Sequence, residues 1–265
     1  MRALVDGQEG ARVDPFDRGL QYGDGLFETI AVPESKPRFL DWHLERLTDG
    51  ASRLGFPALD TELLRREVSA IGNGSRCIVK LVVTRGSGSR GYRPPQMPQL
   101  RRIVSASDWP PVAAGAGARV GWCRTRLGRN PDLAGLKHLN RLEQVLARSE
   151  WEDGVLDEGL MSDEAGNVIA ATQANLFARI NSRWVTPRLD QCGVAGIMRR
   201  AFCAWRASQG AAVEERQISR AEVESASALL LTNALVGAWP VRELAGRPVA
   251  VDAESTEFNA WLGGK

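Results

Sequence analysis

Lysine is scarce in this chain. Of its 34 basic residues only four are lysines, so arginine serves wherever a plain positive charge suffices. Lys36 lies in a polar turn and Lys265 is the last residue, which gives both an ordinary solvated interpretation. Lys80 and Lys137 remain as the two lysines that need an explanation.

Cysteine and histidine are also sparse, with four and two residues. The cysteines form no CxxC pair and have no metal-ligand spacing with the histidines, so we expect reduced, mostly buried thiols and no metal site. The cysteines are Cys77, Cys123, Cys192 and Cys203.

Long apolar runs and an excess of one charge are absent as well. No segment reaches the roughly 18 apolar residues of a membrane span, and the first residues contain no apolar run typical of an export signal. The 34 basic and 32 acidic side chains are interspersed, unlike the concentrated basic footprint of nucleic-acid-binding proteins. We therefore expect a soluble, cytoplasmic protein without nucleic-acid or membrane partners.

The chain is long enough, at 265 residues with 43% hydrophobic composition, to bury a substantial core. We predict an α+β architecture of two domains, a smaller N-terminal domain at 1–108 and a larger C-terminal domain at 119–265. Between them, Pro, Gly and Ala concentrate without any apolar period, which indicates a linker at 109–118.

Hydrophobic spacing predicts the main elements. In the N-terminal domain, LFETIAV from residue 25 is predicted to form a hairpin that turns at ESKP and returns through RFL. The other predicted elements are helices at 41–54 and 61–71, a buried strand at 77–83, a strand at 119–125, helices at 140–152 and 197–208, and a helix start with a capping box at Ser219 and Glu222.

Lys137 follows Gly135 and Leu136 and precedes further apolar residues. A lysine among apolar neighbours loses solvation of its charged form, so its pKa falls and a neutral amine becomes available. A lysine that forms a Schiff base needs this property. The residues alone also allow a lysine that extends to solvent, and Lys80 in CIVKLVV has the same ambiguity between a functional and a structural role.

Other stretches carry polar or glycine residues typical of ligand sites. Gly193 and Gly196 precede a helical pattern, where exposed backbone N–H groups can bind phosphate, although a plain turn is the simpler interpretation. Arg46 on the 41–54 helix could add positive charge to such a phosphate or simply solvate the helix. Thr232 and Asn233 follow an apolar strand. They could serve a site at the end of the strand, or they could form an ordinary turn.

The loop RGSGSRGYRPP places three arginines around a tyrosine. Arginines on a loop suit carboxylate recognition through paired N–H donors, while a solvated loop is the default interpretation. These residues are Arg85, Arg90, Tyr92 and Arg93.

Together these stretches resemble the fold-type IV pyridoxal-phosphate enzymes, and among them the 4-amino-4-deoxychorismate lyases. The central stretch is specific to the lyases. The similar stretches are DRGLQYGDGLFET at 17–29, HLERL at 43–47, RGSGSRGY at 85–92, RLGRNPDLAGLKHLNRLEQVLARS at 126–149, ANLF at 174–177, TPRLDQCGVAGIMR at 186–199 and TNAL at 232–235.

The resemblance implies a two-domain fold with the site between the domains, and a homodimer in which a partner loop helps to cover each site. It implies pyridoxal 5'-phosphate as the cofactor and Lys137 as the Schiff-base lysine and general base and acid. The residues implied to bind the cofactor are Arg46, Gly196, Ile197, Met198, Thr232 and Asn233. The residues implied to meet the substrate are Phe27, Arg90 and Tyr92.

The implied reaction converts 4-amino-4-deoxychorismate to 4-aminobenzoate and pyruvate, in folate biosynthesis. Phe27 stands in GDGLFET where D-amino-acid aminotransferases of this fold have a tyrosine, which favours the lyase. The alternatives are a D-amino-acid or branched-chain aminotransferase of the same fold, and a cofactor-binding protein without turnover.

Ala170 departs from the pattern of the resembling family. Five residues before the Asn of the NxF motif, here Asn175, those enzymes place a glutamate that pairs with the cofactor's pyridine nitrogen. A compensating polar group, a reaction that tolerates a weaker electron sink, and a catalytically impaired protein are the three explanations. The second is attractive because loss of pyruvate creates an aromatic ring.

Overall fold

The computed structural model divides the chain into two compact units. The residues it describes are 2–72, 76–109 and 117–264. The units comprise residues 1–111 with 136–140, and residues 112–135 with 141–265. The short segment around Lys137 therefore groups with the N-terminal residues. The predicted linker at 109–118 lies mostly outside the described residues, and the predicted domain boundaries stay a prediction.

The first unit is built on a five-stranded antiparallel sheet in the order β2-β1-β5-β4-β3. Its strands are β1 (Arg2–Val5), β2 (Gln8–Glu9), β3 (Gly25–Val32), β4 (Cys77–Thr84) and β5 (Arg101–Asp108). Its helices are α1 (Arg18–Tyr22), α2 (Leu40–Arg53) and α3 (Thr61–Gly72).

Helices α2 and α3 lie against the sheet because each has one apolar face. In α2 the buried residues Leu40, Leu44, Leu47 and Ala51 recur at helical spacing, which confirms the predicted helix. The predicted helix at 61–71 is confirmed as α3, and the predicted buried strand as β4.

The predicted hairpin through ESKP and RFL is wrong. Strand β3 pairs along its whole length with β4, more than 40 residues later in the sequence. Phe39 instead takes a left-handed backbone conformation, with φ of 51°, and forms the N-cap of α2. The chain after the ESKP turn therefore enters a helix, a result that local strand propensity did not indicate.

The second unit is built on a larger mixed sheet in the order β11-β10-β9-β12-β13-β6-β7-β8, with β14 paired to β13. Its strands are β6 (Ala118–Trp122), β7 (Glu158–Ser162), β8 (Val168–Ala171), β9 (Asn175–Ile180), β10 (Arg183–Pro187), β11 (Glu214–Arg216), β12 (Leu229–Asn233), β13 (Gly237–Leu244) and β14 (Arg247–Pro248). Its helices are α4 (Leu142–Arg148), α5 (Ile197–Ser208), α6 (Arg220–Ser225) and α7 (Glu254–Leu262).

Most predicted elements of the second unit are confirmed. Helix α5 has the predicted bounds. At the start of α6, Ser219 and Glu222 form the predicted capping box, with each side chain bonded to the other's backbone N–H. Helix α4 is shorter than predicted, and its residues Leu142, Val145 and Leu146 are largely exposed.

Two features of the described residues bear on the expected class of protein. None of the helices within them has the length and apolar character needed to cross a bilayer. The cysteines are free thiols, and burial raises the pKa of Cys123 to about 12 and the pKa of Cys192 to about 11. Both thiols therefore stay protonated and weakly nucleophilic at neutral pH.

Candidate active site

Lys137 is held on strand β3 of the first unit. The N–H of Phe27 donates to the carbonyl of Lys137 over 2.9 Å, and the N–H of Leu139 donates to the carbonyl of Gly25 over 3.0 Å. This short ladder brings the Lys137 Nζ to 4.3 Å from the centroid of the Phe27 ring. The aromatic ring covers one side of this half-buried amine and excludes water from it.

Lys80 approaches the same ring. Its Nζ lies 5.1 Å from the Phe27 centroid. The pairing of Thr29 with Lys80 and of Phe27 with Val82 puts these side chains on one face of the sheet. The single polar residue in the apolar run CIVKLVV is the signal in the sequence that could have indicated this face. The two lysines left unexplained by composition therefore meet at one aromatic side chain.

A buried charge cluster lies on the opposite face of β3. Glu28, which is 1% exposed, accepts from His43 Nδ1 over 2.6 Å and from Arg46 Nε over 2.8 Å, and it also accepts from Arg46 Nη2. Burial alone would raise the pKa of Glu28. The charge of Arg46 and the hydrogen bonds from both partners outweigh burial and lower that pKa to about 2.

His43 is neutral in this cluster. Complete burial, with the positive charges of Arg46 and Lys137, lowers its pKa against the opposing effect of Glu28. The Nδ1–H of the neutral ring therefore donates to Glu28. Glu28 and His43 were not found by sequence reasoning, because the partners lie 15 to 18 positions apart in different elements.

The start of α5 presents backbone N–H groups without a capping side chain. Gly196 is the N-cap and makes no side-chain cap bond. The first turn of any α-helix leaves its N–H groups without acceptors inside the helix, and here these include the groups of Ile197 and Met198. The helix dipole adds partial positive charge at this end, so the position suits an anion.

Thr232 lies on the strand beside this helix start. It is 1% exposed, and its Oγ1 has no hydrogen-bond partner among the described residues. Thr232 pairs with Asn175 of β9. The Asn175 Nδ2 donates to the carbonyl of Val194 over 2.9 Å, and a Cβ at Gly196 would collide with the Asn175 Oδ1. These contacts bring Thr232, Asn175 and the start of α5 together.

Asn233 has a different local role from its neighbour. Its Oδ1 accepts from the N–H groups of Leu235 and Val236, each over 3.0 Å, and so fixes the turn between β12 and β13. The role of Asn233 in binding the cofactor stays a prediction.

Ala170 lies in an apolar environment. It is buried and pairs with Met161 and Asn175. The other buried residues of its cluster are Leu127, Ala147, Met161, Ile169 and Cys192.

The arginine loop divides into anchors and exposed residues. Arg85 is buried and donates to Asp24 and to the carbonyls of Leu54 and Gly55, so its donors are occupied by the protein itself. Arg90 is exposed and Tyr92 is 83% exposed. Both stay candidates for substrate binding.

Arg18 anchors this loop from a distant part of the sequence. Its guanidinium donates to the carbonyls of Gly91 and Tyr92 over 3.0 and 2.8 Å, and to Asp24. Sequence reasoning missed this role because the contacts span more than 70 positions.

Comparison with known proteins decides the family. The model of the family amino-transferase class IV matches residues 25–244. The chain belongs to this family. The match confirms the predicted fold class, since the class IV aminotransferases have the fold-type IV architecture of two α+β parts.

Individual class IV relatives cover nearly the whole chain. The chain is 32% identical to an aminodeoxychorismate lyase of Vibrio harveyi over 252 residues, covering 94% of this chain and 93% of the relative. In a comparison of structures, the chain is 43% identical in sequence to the crystallised 4-amino-4-deoxychorismate lyase from Pseudomonas aeruginosa, with a TM-score of 0.93. The match covers 99% of this chain and 98% of that lyase. A fold IV transaminase from Curtobacterium pusillum is 28% identical, with a TM-score of 0.79 and coverage of 96% and 88%.

The start of α5 and the neighbouring Thr232 suit the phosphate of pyridoxal phosphate. The uncapped N–H groups at the start of α5 and the unpartnered Oγ1 of Thr232 offer donors to an anion. Gly196 leaves the backbone open where a side chain would collide with Asn175. At Ala170, by contrast, the side chain itself offers no carboxylate where the resembling enzymes have a glutamate.

Proposed function

We propose that this chain is a pyridoxal-phosphate-dependent lyase that converts 4-amino-4-deoxychorismate to 4-aminobenzoate and pyruvate. The observation that carries the proposal is the Lys137 amine over the ring of Phe27, in a chain 43% identical to the Pseudomonas aeruginosa lyase. Phe27 occupies the position of the aminotransferase tyrosine and so favours the lyase reaction. The product would enter folate biosynthesis.

The cofactor would be held at two ends. Lys137 would bond to its aldehyde carbon, and the N–H groups of Ile197 and Met198 with the hydroxyl of Thr232 would hold its phosphate. Arg46 would add positive charge, with its guanidinium oriented by Glu28. When bound, pyridoxal phosphate withdraws electrons from the substrate carbon that bears the amine.

The substrate amine would take the place of Lys137 on the cofactor, which frees the lysine to act as general base and acid. Its neutral amine removes the ring proton from the carbon bearing the substrate amine. The neighbouring carbon–oxygen bond breaks, enolpyruvate leaves, and the ring becomes aromatic. The protonated Lys137 amine returns the proton to enolpyruvate, which yields pyruvate. Arg90 and Tyr92 would hold the substrate carboxylates so that the breaking bonds are correctly aligned.

A pyruvate assay tests this function directly. With lactate dehydrogenase as the coupling enzyme, the cofactor-loaded wild type should produce pyruvate from 4-amino-4-deoxychorismate, and Lys137→Ala should not. Lys36→Ala removes a lysine from an exposed turn and serves as the control. Borohydride reduction followed by peptide mapping should label Lys137. A label on another peptide would overturn the proposal.

An aminotransferase is the second candidate, favoured by the 28% identity to the Curtobacterium pusillum transaminase. It would consume D-alanine or a branched-chain amino acid with 2-oxoglutarate and release no pyruvate from 4-amino-4-deoxychorismate. A third outcome, a visible cofactor band without turnover of any of these substrates, would indicate a binding protein impaired at Ala170.

We also propose that the chain forms a homodimer. Helix α4 exposes Leu142 by 76%, Val145 by 57% and Leu146 by 61%, and their spacing puts them on one face of the helix. Clustered large apolar side chains on a surface are typical of protein contacts. A second copy of this chain is the partner that the family resemblance implies.

A further inference from the structure

The turn between β8 and β9 is organised by a buried carboxylate. Glu158 of β7 is fully buried. It accepts from the N–H groups of Gly159, Thr172 and Gln173 over 2.9, 3.1 and 3.2 Å, and from the Thr172 hydroxyl. Burial raises the pKa of Glu158, and the four hydrogen bonds act in the opposite direction. Such a group costs stability unless its bonds are made, so it fixes the conformation of the turn.

The fixed turn delivers Asn175 to the start of β9. The N–H of Ala171 donates to the carbonyl of Ala174 over 2.8 Å, which closes the turn directly before Asn175. The side chain of Asn175 is buried. Its position therefore depends on the turn that Glu158 holds.

Both polar atoms of the Asn175 side chain contact the loop that leads into α5. Its Nδ2 donates to the carbonyl of Val194 over 2.9 Å. Its Oδ1 occupies the space that a side chain at Gly196 would need. Since Gly196 is the N-cap of α5, this asparagine sets where the first N–H groups of the helix lie.

The same side chain lies next to an unpartnered hydroxyl. Asn175 and Thr232 are directly opposed on neighbouring antiparallel strands, so their side chains lie on the same face of the sheet. The Thr232 Oγ1 is buried and has no hydrogen-bond partner among the described residues. Two independent features, an uncapped helix start and this hydroxyl, thus meet beside Asn175.

We infer that Asn175 is a positioning residue for the cofactor phosphate, held in place by Glu158 through the β8–β9 turn. Asn175 does not itself bind the phosphate. It holds the carbonyl of Val194 and the backbone of Gly196 so that the helix N–H groups and the Thr232 hydroxyl face one anion. This inference rests on the proposed function, since it requires that the chain binds pyridoxal phosphate.

The test compares a ligand with and without phosphate. The apo-protein is titrated with pyridoxal phosphate and, separately, with pyridoxal, and the change in visible absorbance gives each Kd. Loss of the Asn175 bond in Asn175→Ala should weaken pyridoxal phosphate binding about tenfold while changing pyridoxal binding less than about twofold. Inorganic phosphate should also compete less well with the cofactor in this variant.

Two more variants sharpen the test. Asn175→Asp keeps the side-chain shape but places negative charge beside the phosphate site, so it should lower affinity for pyridoxal phosphate selectively, and it serves if the alanine variant does not fold. Ser255→Ala is the matched control. Its buried hydroxyl also donates to a backbone carbonyl, that of Asp252 over 2.9 Å, and both residues lie outside the strands that carry Asn175 and Thr232.

The outcomes separate the inference from the function on which it rests. Equal weakening of both ligands in the Asn175 variants, or no weakening, would overturn the positioning role. The same selective loss in Ser255→Ala would also overturn it, because the loss of any buried side-chain hydrogen bond would then explain the result. Failure of the wild type to bind either ligand would overturn the proposed function itself.

Discussion

The Nδ1 of His43 lies 2.6 Å from Oε2 of Glu28, and both side chains are buried. The pair joins strand β3 to helix α2 directly behind Phe27, whose ring faces Lys137. The cluster is therefore both a structural link and a source of charge close to the candidate catalytic amine. Its titration can be followed without any ligand.

Acid should destabilise the protein in two steps. The pKa of Glu28 is lowered from 4.5 to about 2, so its contribution is present above pH 4.5 and is lost as the pH falls toward 2. The pKa of His43 is also lowered, so the unfolded state takes up its proton first and stability begins to fall below the ordinary histidine value. Urea unfolding measured at several pH values should show both losses. A flat stability between pH 7 and pH 3 would contradict this prediction.

Glu28→Gln should destabilise the protein strongly. The variant removes the buried carboxylate that accepts from the partly buried Arg46, and breaking a buried ion pair costs about 3 to 5 kcal/mol. The free energy of unfolding from urea titration measures this loss. Glu62→Gln is the matched control, because Glu62 is exposed and its contact with Arg65 is 3.5 Å long. It should change stability by less than about 0.5 kcal/mol.

Phe27→Ala should lower kcat strongly even when the variant is folded and saturated with cofactor. The ring supports the Lys137 amine at 4.3 Å, and misplacement of a catalytic group by about 1 Å can reduce the rate about a hundredfold. The pyruvate assay with cofactor-saturated protein measures kcat. Phe16→Ala removes an exposed ring from the same unit and should leave kcat unchanged.

Ala170→Glu should not raise turnover greatly. If aromatisation of the product supplies part of the driving force, an added electron-sink partner should change kcat less than about tenfold. The measurement is kcat per bound cofactor. Ala171→Glu places the same carboxylate on the adjacent strand residue, also buried, and controls for the cost of a buried charge. An increase of several orders of magnitude in Ala170→Glu would contradict the weaker-sink explanation.

Leu146→Lys should dissociate the proposed homodimer. A charge in an apolar contact loses solvation without gaining a partner. Light scattering after size exclusion should give the dimer mass for the wild type and the monomer mass for the variant. Val251→Lys changes another exposed apolar residue outside α4 and should remain dimeric.

Local patterns predicted what depends on neighbours in sequence. The bounds of α5 and the capping box at Ser219 follow from spacing and cap chemistry within a few residues. Contacts between distant segments could not be predicted this way. The pairing of β3 with β4, and the contacts of Arg18 with the loop at Gly91, depend on which surfaces meet in the folded chain.

The candidate site shows the same division. Lys137 and Gly196 stand in recognisable stretches, and their importance was predicted. Asn175 was recognised as the Asn of the NxF motif. Its hydrogen bond to Val194 could not be predicted, because the two residues lie 19 positions apart. Glu28 has no signal of its own, since an isolated glutamate in a strand does not indicate that arginine and histidine will surround it.

The carbonyl of Lys137 accepts a hydrogen bond from the N–H of Phe27 in β3, although more than 100 residues separate the two. A fragment that starts after residue 118 would contain this lysine but not the strand that holds it. A fragment that ends before residue 109 would contain the strand and the Phe27 ring but no amine. If the chain were divided between residues 109 and 118, neither piece alone would hold the Lys137 amine on strand β3. Both pieces would have to be present together for the lysine to be positioned.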